Sequence, residues 1–179
     1  NKDIDAVLVA TPTMSHLEVG LEVLKSGKHL LMEKPIGMTV LEADTLVEQA
    51  LAQQQVFGAV LNQRYDAAYA RIREMLQQGV IGELQRVSWT LTHWYRPEVY
   101  YRVSDWRGTW RGEGGGLLLN QCIHNLDVLQ WLCGMPSYVW AQCHWGRYHN
   151  IEVEDEVTAV MNFSNGASAS FISSTGEAP

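Results

Sequence analysis

Short apolar runs alternate with amphipathic stretches along the first third of the chain, and this alternation restricts the fold more than any other feature. Ile4 to Ala10 (IDAVLVA) is nearly continuous in apolar residues and closes at Thr11-Pro12-Thr13, the pattern of a strand buried on both faces. Leu17, Gly20, Leu21 and Leu24 then recur at helical spacing, with Ser26-Gly27 as a stop, which predicts a helix over about 14–26. Lys28 to Met32 reads as a second strand. Thr39 and Glu42 stand at capping-box spacing ahead of Ala43, Leu46, Val47 and Ala50, so a second helix is expected over about 40–53. Val56 to Leu61 supplies a third strand. A β-α-β-α-β order with short connections implies right-handed crossovers and parallel strands. Ligands of such sheets bind at the carboxyl ends of the strands, here Thr11-Pro12-Thr13, Glu33-Lys34-Pro35 and Asn62-Gln63-Arg64.

The texture changes after Asp66. A helix with Tyr69, Ile72, Met75 and Leu76 on one face runs to Gly79, and Val87, Trp89, Leu91 and His93 alternate with polar residues as in a half-exposed strand. Residues 94–116 show no period and hold Trp94, Trp106 and Trp110 among Arg96, Arg102, Arg107 and Arg111; a loop of about 20 residues is long enough to be functional. Leu117 to Leu132 is expected to be one helix, ended by Cys133-Gly134-Met135-Pro136. Strands follow at about 138–147, 155–163 and 167–175, the last two joined by Ser164-Asn165-Gly166 as a hairpin. The fold class is therefore α/β, a parallel-sheet unit followed by an α+β unit, with the boundary between Arg64 and Ile81.

Charge and cysteine usage exclude several partners. Thirteen Lys+Arg against twenty Asp+Glu give a net charge of −7, so no positive field gathers nucleic acid or an anionic membrane surface. No apolar run approaches the length of a membrane span. Cys122, Cys133 and Cys143 form no CxxC pair, which argues against a disulfide framework or a zinc site and fits a reducing cytoplasm.

Two constellations could carry chemistry. Lys34 sits where the second strand ends, and partial burial there would lower its pKa until it can exchange a proton with a hydroxyl or carbonyl; the alternative is a surface lysine ion-paired with a neighbour. Pro35 fixes the bend, and a cis Lys34-Pro35 bond is one way to make it. The second constellation is Gly114-Gly115-Gly116 followed by LLLNQCIHNLDVLQWL. Asn120, His124, Asp127 and Trp131 step by four, three and four, placing a polar stripe on one face of the expected helix. His124 is either a satisfied core histidine or a working group, and the two readings weigh evenly. His124 and Asp127 lack a third ligand at useful spacing, so no metal is expected. Thr11, Thr13, Ser15 and His16 crowd a helix start, either as caps or as an anion site. No GxGxxG, Walker A loop or GxSxG is present.

Together the segments TPTMSH (11–16), KHLLMEKP (28–35), LNQRY (61–65), GVIGEL (79–84), WRGTW (106–110) and GGGLLLNQCIHNLDVLQWL (114–132) resemble the Gfo/Idh/MocA family of NAD(P)-dependent oxidoreductases. The resemblance runs from residue 1 to about 175, and the pairing of EKP with a GG…H..D segment about 90 residues later is its specific part. It implies the C-terminal part of a Rossmann-like, doubly wound parallel sheet over 1–65 and an α+β unit with a mainly antiparallel open sheet over 66–179, with Lys34 as the catalytic lysine and His124 as the second acid/base group. Thr11, Pro12, His16, Glu33 and Lys34 would line NAD or NADP, Trp106 and Arg107 would close over it, Asn120 and Arg107 would meet the substrate, and Asp127 would orient the active-site helix or meet the substrate. The family often has Asp where this chain has Asn120, and Asn cannot take a proton. The NQxIHNxD wording resembles branches acting on sugars or sugar nucleotides, UDP-sugar uronates included.

The expected activity is hydride transfer between a nicotinamide and a secondary alcohol or ketone of a sugar, polyol or sugar nucleotide, in a cytoplasmic homo-oligomer. Family members open with GxGxxG ahead of the equivalent of Asn1, so the chain reads as an interior fragment that is inactive alone. The alternatives are a non-catalytic ligand-binding or assembly module and a sugar-binding protein built on the Trp-rich loop.

Overall fold

The computed structural model describes residues 1–177. Strands β1 (Ala6–Val9), β2 (His29–Met32) and β3 (Phe57–Ala59) form a parallel sheet in that order, with Val9 opposite Met32 and Met32 opposite Ala59. Helix α1 (His16–Lys25) links the first pair and α2 (Val40–Ala52) the second. Val9, Leu30 and Met32 meet Leu24 of α1 and Leu46 and Ala50 of α2 in one core. Gly20 lets the layers close, since a Cβ there would lie 2.7 Å from Leu46 and 2.8 Å from Met32. The Thr39 hydroxyl caps α2 by accepting the Glu42 N–H (3.2 Å), while the Glu42 carboxylate turns back to the N–H of Met38 (2.7 Å), one residue before the cap.

Among the described residues the strands of the first sheet are covered on one face only. Two right-handed crossovers that advance the sheet in the same direction put both helices on the same side. The other side is bare here, with Leu8 59% and Leu31 44% exposed.

Helix α3 (Ala67–Gln77) is capped by the Asp66 carboxylate, which accepts from the N–H groups of Ala68 and Tyr69. Strand β4 (Arg86–Leu91) leads into the segment expected to be a structureless loop, which contains two short helices, α4 (Glu98–Arg102) and α5 (Trp110–Glu113). Helix α6 (Ile123–Cys133) and strands β5 (Tyr138–Trp145), β6 (Glu154–Asn162) and β7 (Ser168–Ser174) complete the fold. The second sheet has the order β4-β7-β6-β5. Its pairings are antiparallel except that β4 lies parallel to β7, Arg86 opposite Ser168 and Leu91 opposite Ser173. Leu91, Val157, Ala159 and Phe171 of this sheet bury Leu117, Cys122 and Leu129. No helix among the described residues is long and apolar enough to cross a membrane.

The helix expected over 117–132 starts six residues late. The buried Glu154 explains the delay: its carboxylate accepts the N–H groups of Gly116 and Leu118 (2.9 Å each), and its carbonyl accepts that of Leu117 (2.8 Å). Residues 116–118 are thereby tied to β6, and the Cys122 N–H reaches back five residues to the Leu117 carbonyl instead of four. Apolar periodicity runs through this turn unbroken, which is why the sequence conceals it.

Candidate active site

Lys34 leaves the end of β2 through a cis bond to Pro35. Its Nζ donates to the backbone carbonyl of Asn120 (2.9 Å) and to the Asn120 side-chain oxygen (3.1 Å). The two constellations therefore meet. Asn120 is not on the helical face with His124, Asp127 and Trp131 but in the turn before α6, and that offset lets it reach Lys34.

The other end of the Asn120 amide donates to Glu113, a residue the sequence reading passed over. Glu113 ends α5 and is only 4% exposed; its second oxygen accepts the Gly108 N–H (2.6 Å). An amide is suited to this position because it offers an acceptor to the ammonium and a donor to the carboxylate at once. An aspartate would turn an oxygen toward Glu113. A single acid in an aperiodic Trp- and Arg-rich stretch gave no signal beyond its place next to the triple glycine.

Electrostatics push the working groups toward neutrality. Burial holds the Lys34 ammonium below its ordinary range and the Arg96 charge adds to this, against the opposing carboxylates of Glu33 and Glu113. His124 is also pushed down, by burial first and by the Lys34 charge second, with Glu33 and Asp127 opposing. Its Nδ1 is buried without a partner among the described residues. Burial raises the Glu113 carboxyl, against the Gly108 N–H, the Asn120 amide and the charges of Arg107 and Lys34. A lysine lowered in this way can give and take a proton where an exposed one only gives.

The Asp127 carboxylate is held from outside its own helix. Arg64, in the turn after β3, clamps its carboxylate through Nε (2.7 Å) and Nη2 (2.5 Å), so Asp127 anchors α6 to the first sheet.

The residues expected to line a cofactor divide. Thr11 and Pro12 are exposed at the end of β1. Pro12 shares with Trp106 and Arg111 a cleft of about 210 Å³, so positions from the two sheets come together. Glu33 is half-buried and its carboxylate accepts the Lys34 N–H (3.1 Å). His16 does not line this space. It is 1% exposed, and its ring nitrogens sit 2.8 Å from the Pro35 carbonyl and 2.9 Å from that of Thr11; it is an internal strut between two loops. Ser15 bonds the Thr11 hydroxyl and the Pro12 carbonyl, and no side chain caps α1. Beside the cleft, Arg107 lies 4.3 Å from the Tyr100 ring centre and 5.1 Å from that of Trp106.

Comparison with known proteins agrees with this architecture. Residues 1–60 match the oxidoreductase family with an NAD-binding Rossmann fold, and residues 69–179 match the GFO/IDH/MocA C-terminal domain. A 1,5-anhydro-D-fructose reductase of Ensifer adhaerens is 31% identical over 172 residues, 94% of this chain and 50% of the relative. The WlbA dehydrogenase of Chromobacterium violaceum, solved with NADH and UDP-GlcNAcA, superposes with a TM-score of 0.92 at 30% identity, over 100% of this chain and 51% of that one. A levoglucosan dehydrogenase solved with NADH and levoglucosan gives 0.87 at 27% identity, over 98% and 49%. The chain spans about half the length of the relatives it matches. With both family segments matched in order, one on each sheet, the chain belongs to the GFO/IDH/MocA family of oxidoreductases.

Proposed function

We propose that the protein carrying this chain transfers hydride between NAD or NADP and a carbon bearing a secondary alcohol or ketone in a sugar, polyol or sugar nucleotide. The observation that carries the reading is Lys34, drawn out of water at the end of a parallel strand and held by Asn120 from the other sheet. The named ligands and activities of the relatives support it. When bound, the nicotinamide supplies the hydride acceptor or donor.

The chain's own residues then divide the remaining work. Lys34 takes the hydroxyl proton in oxidation and returns it in reduction, and the neutral His124 ring assists. Asn120 fixes the Lys34 amine and, with Arg107, receives the substrate; Asp127 acts through Arg64 by holding the helix that bears His124. Thr11, Pro12, Glu33 and Trp106 line the nicotinamide end of the cofactor, a reading supported by the cleft that Pro12 and Trp106 share and by the position of Glu33 next to Lys34. The 179 residues contain no GxGxxG, so these side chains cannot hold the pyrophosphate, and the isolated chain is inactive.

Residues 1–65 act as the nucleotide-binding unit and 66–179 as the substrate unit, in a cytoplasmic homo-oligomer. Three free cysteines support the compartment. Replacing Lys34 by Ala in the complete protein should lower turnover by about 10²–10⁴ and change NAD(H) affinity by only a few-fold. Steady-state kinetics with a cofactor titration decide, and unchanged turnover removes Lys34 from the mechanism.

A further inference from the structure

Four guanidiniums are half-buried among the described residues. Arg64 has the Asp127 carboxylate and Arg73 the Trp131 carbonyl. Arg96 and Arg107 have no acceptor, and the Nε of each is closed off from solvent without a hydrogen bond. Both are nevertheless held in place. Both lie against the Tyr100 ring, its centre 5.0 Å from the Arg96 guanidinium and 4.3 Å from that of Arg107, and Trp94 lies 6.0 Å from the first and Trp106 5.1 Å from the second. The Arg96 backbone is tied down as well, its N–H donating to the Thr175 carbonyl (2.9 Å).

Aromatic faces fix a guanidinium in position and leave its N–H edge unused. Drawing such a charge partly out of water is unfavourable unless an anion answers it. Nearby carboxylates are engaged elsewhere: Glu98 and Glu152 line one cleft with Arg107, but Glu98 pairs with Arg102 (3.6 Å) and Glu152 accepts the Trp110 N–H (3.2 Å). Glu113 has one oxygen taken by Gly108 and the other by Asn120, and Glu33 turns to the Lys34 N–H. Arg96 also acts on Lys34, as one of the charges that lower its pKa, and Arg107 acts on Glu113. Geometry gives the same link: Gly108, next to Arg107 in the chain, donates to the Glu113 carboxylate that holds Asn120, and Asn120 holds Lys34, so the pair borders that site.

We propose that Arg96 and Arg107 receive an oxyanion of the substrate, a carboxylate or phosphate carried by the sugar, next to Lys34. This rests on the oxidoreductase reading above and narrows it to acidic sugars. Two preset guanidiniums suit one planar or tetrahedral oxyanion, each offering parallel N–H groups. Anchoring the acid at one end of the ring would fix which hydroxyl lies against Lys34.

The test is calorimetric titration of the complete, NADH-loaded protein with glucuronate, glucose 6-phosphate and glucose. An acid is expected to bind at least about tenfold more tightly than glucose, with that preference falling about tenfold or more in Arg96→Gln and in Arg107→Gln and partly kept in Arg96→Lys. Glucuronate as the preferred ligand identifies a carboxylate, glucose 6-phosphate a phosphate. Equal binding of all three, or a preference that survives both Gln substitutions, overturns the proposal. An equal loss of NADH affinity in Arg96→Gln without sugar also overturns it, because the anion is then the cofactor's own. Turnover measured alongside separates the two readings: acid preference without hydride transfer removes the oxidoreductase reading and leaves the anion site, and hydride transfer on neutral sugars without acid preference does the reverse.

Discussion

Asn120 stands between an ammonium and a carboxylate, and its amide satisfies both. Asn120→Asp should set two carboxylates against each other where Glu113 is 4% exposed, costing about 1–3 kcal/mol. Adding Glu113→Gln to that variant should recover much of the loss, and urea unfolding of the four proteins in a double-mutant cycle gives the coupling. Additive losses would mean the two side chains do not sense each other. The same neighbours set a pH dependence. With the Lys34 ammonium held below 10.5, the oxidation rate should climb with pH as the free amine forms and level off below pH 10.5. Glu113 opposes that lowering, so Glu113→Gln removes a charge that favours the ammonium and moves the plateau to lower pH. A plateau displaced upward would contradict the assignment. At this scale Lys34 and His124 were legible because residue type and place in the alternation both marked them. Glu113 was not, since what defines it is a contact with Asn120 that no spacing encodes, and His16 looked like a lining residue until both ring nitrogens proved occupied inside.

Among the elements, α6 matters most because it carries His124 and is anchored from outside itself. Arg64→Ala would leave the Asp127 carboxylate, 12% exposed, without its partner. The expected loss is about 1–3 kcal/mol, read as a lower thermal midpoint, together with reduced turnover. Arg64→Lys should restore only part, since a lysine cannot make both bonds of the clamp; full recovery would show that charge alone suffices. Helices α1, α2 and α3 were legible from apolar spacing and stop signals. The late start of α6 was not, because it depends on a glutamate from β6, and α4 and α5 were missed because four or five residues are too few to display a period.

For the whole molecule, the parallel sheet and the later mixed sheet were both legible from the change in alternation after Asp66. That β4 pairs with β7 could not be read, since strand patterns identify strands and not their neighbours. Among the described residues strand β5 has no neighbour on its outer edge, and Tyr138, Trp140 and Val160 on the outer face are 58%, 53% and 44% exposed. Light scattering should give a dimer or larger species, and Trp140→Lys with Val160→Lys should shift it toward monomer; a wild-type monomer would rule out the assembly. The β4–β7 pairing also sets an order of events. Arg86 waits for Ser168 and Leu91 for Ser173, so everything between them, the triple glycine and His124 included, is an enclosed loop that closes only when the last hairpin is made. Contacts this distant in sequence are slow to form. On a ribosome, Lys34 and Asn120 would come together only after β7 has emerged, and a chain interrupted before β7 would leave the second sheet and that contact unassembled.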